Sequence, residues 1–193
     1  MSGVIGEIGN RSGLVGFNSK TWTLLYSTGA TTSSQNTINV PLNRNDSKYF
    51  LYKIYINQWN VEDKDFFMRI FQDGDASVKT AGNYQYHIKQ WAPDNNSLAM
   101  HSDGASSIKL ANNADATAVQ NQWTEICVQA PENTANYPQG MVFSTYNDDT
   151  GDVRHAFGSW MYKSAGAWNT LQFYSEASNS MSWESARVYG LPK

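Results

Sequence analysis

Cysteine is nearly absent: Cys127 is the only one in 193 residues. No intrachain disulfide can form, and no cluster of thiolates can hold a metal. Charge is scarce as well. Asp, Glu, Lys and Arg supply 16% of the chain and the formal net charge is -3, against a charged share of about 25% in average globular chains. No Lys/Arg run offsets the negative balance, so a nucleic-acid partner is not expected. No segment approaches the roughly 18 apolar residues of a membrane span. The opening Met1-Ser2-Gly3-Val4-Ile5-Gly6 lacks the basic stretch and apolar core of a signal peptide. The expectation is a chain made in a cytoplasm, with no membrane partner. A helical apolar period is missing too, and with it any amphipathic helix of length.

What fills the gap is Asn, Ser, Thr and Gln, together with seven Trp and eleven Tyr. From Thr21 onward the chain reads as about ten strands separated by Gly, Asn, Asp and Pro turns. Tyr49 to Trp59 (YFLYKIYINQW) is the strongest signal. Both of its faces carry large side chains, which places it centrally in a sheet. Phe66 to Gln72, Asn83 to Trp91, Thr124 to Ala130, Met141 to Asn147, Val153 to Lys163, Thr170 to Ser175 and Glu184 to Leu191 follow the same pattern. Thr21 to Tyr26 and Asn36 to Leu42 precede them, and weaker candidates lie at Leu98 to His101 and Ser107 to Leu110. Ala111 to Gln122 reads as a loop or a short helix. The fold class is all-β, an antiparallel jelly roll or β-sandwich over residues 21–193. Residues 1–20 are different. Glycines at 3, 6, 9, 13 and 16 alternate with Val4, Ile5, Ile8, Leu14 and Val15. Such glycine density opposes a helix, while the aliphatic residues seek burial. The segment reads as an extended arm that docks on something, or as an edge strand of its own domain.

Candidate chemistry is thin. His87, His101 and His155 have no metal-ligand spacing among themselves. Carboxylates gather at Asp73/Asp75 and at Asp148/Asp149/Asp152, which would suit calcium, but the second group also reads as an ordinary hairpin turn with Gly151 at its positive-φ position. Glycoside hydrolysis needs two carboxylates flanking a bond. Glu62, Asp63 and Asp65 approach that pattern but lie in a polar turn. No nucleophile elbow, phosphate loop or dinucleotide fingerprint occurs. The chain is therefore expected to be non-catalytic, with no cofactor and no metal. Cys127, inside Ile126-Cys127-Val128, is expected to be a small buried hydrophobe. Trp22 and Trp183 read as core. Trp91, Trp160 and Trp168 sit nearest turns and are the candidates for a glycan-stacking or protein-interface surface.

Three stretches carry a resemblance. The start SGVIGEIGNRSGLVG, the unit FFMRIFQDGDASVKTAGNYQYHIKQW and the ending WESARVYGLPK resemble the concanavalin-like jelly-roll surface proteins of tailed-bacteriophage virions. These proteins serve as tail-fibre, appendage or capsid-decoration components. The resemblance implies a virion structural protein. Its arm residues Val4, Ile5, Ile8, Arg11, Leu14 and Val15 would anchor it to other virion proteins, and it would assemble as a homo-oligomer, a trimer. A receptor-binding fibre usually carries a shaft or further domains that this chain lacks, which favours a small attached protein. The alternative is a module that recognises host surface glycans, with a glycoside hydrolase behind it.

Overall fold

The computed structural model describes residues 21–35, 37–61, 64–73, 77–92, 98–115, 122–129, 131–176 and 181–193, with backbone only for 31–35. The expected arm at 1–20, and with it Val4, Ile5, Ile8, Arg11, Leu14 and Val15, lies outside the described residues. Fifteen strands occur among those described: β1 Thr23–Thr28, β2 Thr31–Gln35, β3 Thr37–Pro41, β4 Tyr49–Asn57, β5 Asn60–Val61, β6 Lys64–Gln72, β7 Tyr84–Trp91, β8 Leu98–Ala105, β9 Ile108–Ala114, β10 Trp123–Gln129, β11 Gln139–Asn147, β12 Val153–Tyr162, β13 Trp168–Ser175, β14 Met181–Trp183 and β15 Ser185–Pro192.

Every strand pairing is antiparallel. An eight-stranded sheet runs β1-β15-β4-β10-β11-β12-β7-β8, a four-stranded sheet runs β3-β13-β6-β9, and a small third sheet runs β2-β14-β5. This is an antiparallel β-sandwich, as the turn-and-strand pattern predicts. The excess over about ten strands comes from β2, β5 and β14. These are too short, or too polar, to show a period of their own.

The core lies between the large sheet and its smaller partners. β4 sends Tyr52, Ile54 and Ile56 inward, and β6 answers with Phe66, Met68 and Ile70, all fully buried. Trp59 stacks on Phe66 at 4.4 Å, and Phe66 on Phe173 at 5.8 Å. Buried hydroxyls are satisfied across the sandwich. The Tyr84 hydroxyl donates to the Lys79 carbonyl at 2.9 Å and accepts from the Ile70 amide at 3.0 Å. Burial pushes that phenol's pKa strongly upward, which keeps it neutral and able to donate.

Two residues contradict the expected burial. Cys127 is half-buried on the outer face of the large sheet rather than in the core. Its strand neighbours Ile126 and Val128 take the inward positions, and period-two alternation leaves Cys127 outside. Trp22 precedes β1 and is exposed, with the Lys53 ammonium 5.4 Å from its ring centroid. Trp183 is core as expected.

Candidate functional site

Strand register turns the outer face of the large sheet into cross-strand rows. One row reads Tyr55, Glu125, Phe143, Phe157 and Lys89 across β4, β10, β11, β12 and β7. Beside it run Asn57, Trp123, Thr145, His155 and Trp91. On the other side run Lys53, Cys127, Met141, Ser159, His87 and His101, the last on β8. Beyond these, Gln129 neighbours Leu51, and Gln139, Met161 and Gln85 follow in line.

The face has two halves. Towards the Gln85 end it sinks into a trough of about 620 Å³, lined among others by Gln85, His87, Gln129, Gln139, Met141 and Ser159. No carboxylate lines it. Towards the other end runs a ridge-like row of aromatic side chains, Trp123, Phe143 and Phe157, beside a shallower hollow of about 410 Å³. Trp123 stacks on Phe143 with centroids 5.4 Å apart, and Phe143 meets Phe157 at 6.1 Å. Rings stacked on one another cover each other's faces and turn their edges outward, which is poor geometry for a sugar platform.

Charges on this face are mostly tied down. Lys53 Nζ lies 2.5 Å from Glu125 Oε1. Burial works against ionisation of Glu125, but hydrogen bonds from Lys53, Cys127 and Tyr55 outweigh it and hold the carboxyl below its usual range. Burial, then the hydrogen bond to Glu125, pushes the Cys127 thiol up to about 11. A thiol so placed is not a nucleophile at neutral pH.

Of the three candidate Trp residues, only Trp91 is at the surface, 41% exposed. Trp160 and Trp168 are each 2% exposed and belong to the core, so neither presents a ring for stacking. The cause is local. Gly140 lies opposite Trp160, and a Cβ there would stand 3.0 Å from the indole Nε1. The glycine makes the room that draws the indole inward, against Trp168 at 5.8 Å and 77°. The residues that do form the exposed aromatic surface, Phe143 and Phe157, were missed by the sequence reading.

The remaining acids and histidines are employed structurally or stand apart. Asp148 Oδ1 accepts from the Thr150 amide at 3.0 Å, the Thr150 hydroxyl at 2.6 Å and the Asp152 amide at 3.0 Å. Its Oδ2 accepts from Arg154 Nε at 2.6 Å. Burial opposes ionisation, but these donors prevail and lower its pKa. Gly151, at φ 86°, closes the β11–β12 hairpin as predicted. With both oxygens spent on protein donors, Asp148 is a turn brace rather than a calcium ligand. Asp73 is bound by Arg44 and Asn169, and Asp65 by Lys109 and the Asn113 amide. Glu62, Asp63 and Asp75 lie outside the described residues. The register sets His87 opposite His101 with ring centroids 6.4 Å apart, a pairing invisible in their sequence spacing. Among the described residues, no group of three His, Cys, Asp or Glu is placed to hold a metal.

No family model and no curated protein matches the chain. Among solved structures it is similar to the Caenorhabditis elegans galectin LEC-6, at 13% identity over 84% of this chain and 94% of that one, with a TM-score of 0.39. That likeness is distant, and no residue of the site is carried across by it.

Proposed function

We propose that the chain is a non-catalytic binding module that takes a neutral glycan in the trough on the outer face of the large sheet. The observation that carries this is the trough's lining. Amide, hydroxyl and imidazole groups surround Met141 in a recess of about 620 Å³. Sugar hydroxyls pair with neutral donors and acceptors, and the apolar faces of sugar rings pack on soft side chains. The cavity falls within the range of about 300–1,000 Å³ typical of ligand sites. The absence of a carboxylate from the lining favours binding over hydrolysis, which needs an acid and a base or nucleophile.

A glycan array probed with the protein and with Ser159→Trp tests this. Ser159 is an exposed position in the trough, so the indole fills the recess without entering the core. Wild-type signals on a small set of glycans, lost in the variant, are expected. A silent wild type, or signals that survive Ser159→Trp, contradict the reading.

A second reading is display on a phage particle, and the aromatic ridge favours it because ring edges suit a protein partner. In that reading Val4, Ile5, Ile8, Arg11, Leu14 and Val15 anchor the chain to other virion proteins. Deleting residues 1–16 then abolishes particle incorporation and leaves a folded β domain. Normal assembly of the truncated chain contradicts it.

A further inference from the structure

Ten large hydrophobic residues are exposed among those described, and seven of them lie on one face: Trp22, Leu24, Trp91, Met141, Phe143, Val153 and Phe157 project from the outer side of the eight-stranded sheet. A surface this apolar marks an interface. We propose that its aromatic half packs face to face against a second copy of this chain, about a two-fold axis that lies parallel to the strands between β11 and β12.

The order of side chains along the ridge points to a second copy. The central row reads Glu125, Phe143, Phe157, Lys89. A two-fold axis between its two Phe residues reverses that order in the facing copy. Phe143 then meets Phe157, and Glu125 meets Lys89. The neighbouring row, Trp123, Thr145, His155, Trp91, is also self-matching, because Trp123 meets Trp91 and Thr145 meets His155. Lys89 lies 5.4 Å from the Trp91 ring centroid and has no carboxylate partner among the described residues; the facing Glu125, whose carboxylate its own Lys53 engages from one side, supplies one by bridging the two cations. Aligned sheets pack about 30° apart, which displaces positions one and a half strand spacings from the axis by only about 4 Å. That is within reach of both side chains.

The size of the contact is that of a weak, concentration-dependent dimer. An axis between β11 and β12 brings six strands of each copy into register, β4, β10, β11, β12, β7 and β8, spanning about 24 Å, and three rows of outward residues span about 18 Å, giving about 430 Å² per copy. The total of about 860 Å² falls in the range of small, reversible interfaces, below the roughly 1,000 Å² of a stable one. A two-fold contact closes on itself, so association stops at the dimer. The two-fold sets the trough of one copy opposite that of the other, since Cys127, Met141, Ser159 and His87 line it, and the pairing of the aromatic rows stands without the glycan reading.

Sedimentation velocity of the full chain over a concentration series up to the high-micromolar range tests the proposal, with circular dichroism confirming that each variant is folded. The wild type is expected at twice the 21.6 kDa of one chain. Phe157→Ser gives a monomer. Lys89→Glu and Glu125→Lys each weaken the dimer about tenfold or more, and combining them restores it. A wild-type monomer, a trimer, a dimer indifferent to Lys89→Glu, or failure of the double reversal to recover association each overturns it.

Discussion

Replacing Asp148 by alanine tests whether the β11–β12 hairpin is held as the structure describes. The residue is 5% exposed, and its carboxylate accepts from the Thr150 amide and hydroxyl, the Asp152 amide and Arg154. The Arg154 side chain is only 14% exposed. Alanine therefore removes the nearer carboxylate from a largely desolvated guanidinium, which keeps Asp152 at 4.0 Å, and leaves the turn amides without their acceptor. Breaking a buried pair by removing one partner costs about 3–5 kcal/mol, and the residual exposure here favours the lower end, about 3 kcal/mol. A domain of this size shifts by about 2–4 °C per kcal/mol, so the melting temperature falls by about 6–12 °C. The pH dependence carries a second signature. The folded-state pKa of Asp148 is lowered, so its contribution is fully present above the unfolded value near about 3.9. It is lost as pH falls through the lower, folded value. The gap between wild type and variant is thus constant at neutral pH and shrinks below about pH 4. Thermal melts by circular dichroism at pH 7 and pH 3 read both. A shift under about 3 °C at pH 7, or a gap that does not narrow in acid, refutes the reasoning.

Other perturbations address the core and the outer face. Trp160→Ala empties a site between Gly140 and Trp168 and is expected to cost about 3–5 kcal/mol in urea denaturation, whereas Trp91→Ala, at an exposed position, costs under about 0.5 kcal/mol. Near-equal effects would contradict the assignment of one to the core and the other to the surface. Cys127, raised to about 11 by burial and Glu125, is expected to react slowly with iodoacetamide at pH 8. Glu125→Gln removes the second cause and accelerates alkylation, and an unchanged rate would contradict that account.

The large strands were legible because β-branched and aromatic residues cluster there between turn residues. β4, β6, β7, β10, β11, β12, β13 and β15 lie within a few residues of the predicted spans, and the Gly151 turn was visible from its chemistry. Facing direction was far less legible. Along β12, Phe157 is as apolar as Trp160, yet one points out and the other in. Alternation gives two classes of position but not which class is interior. Only pairing with Gly140 on β11 and Lys89 on β7 resolves this. The trough was hidden for the same reason. Gln85, Gln139 and Ser159 are separated widely in sequence and become neighbours only through strand register.

The most direct test of the central claim is an amide-proton NMR titration of the isotopically labelled protein with the glycan selected by array. Resonances of Gln85, His87, Gln129, Gln139, Met141 and Ser159 are expected to shift together along one binding curve. Shifts confined to the opposite sheet, or to the β11–β12 hairpin, would contradict it.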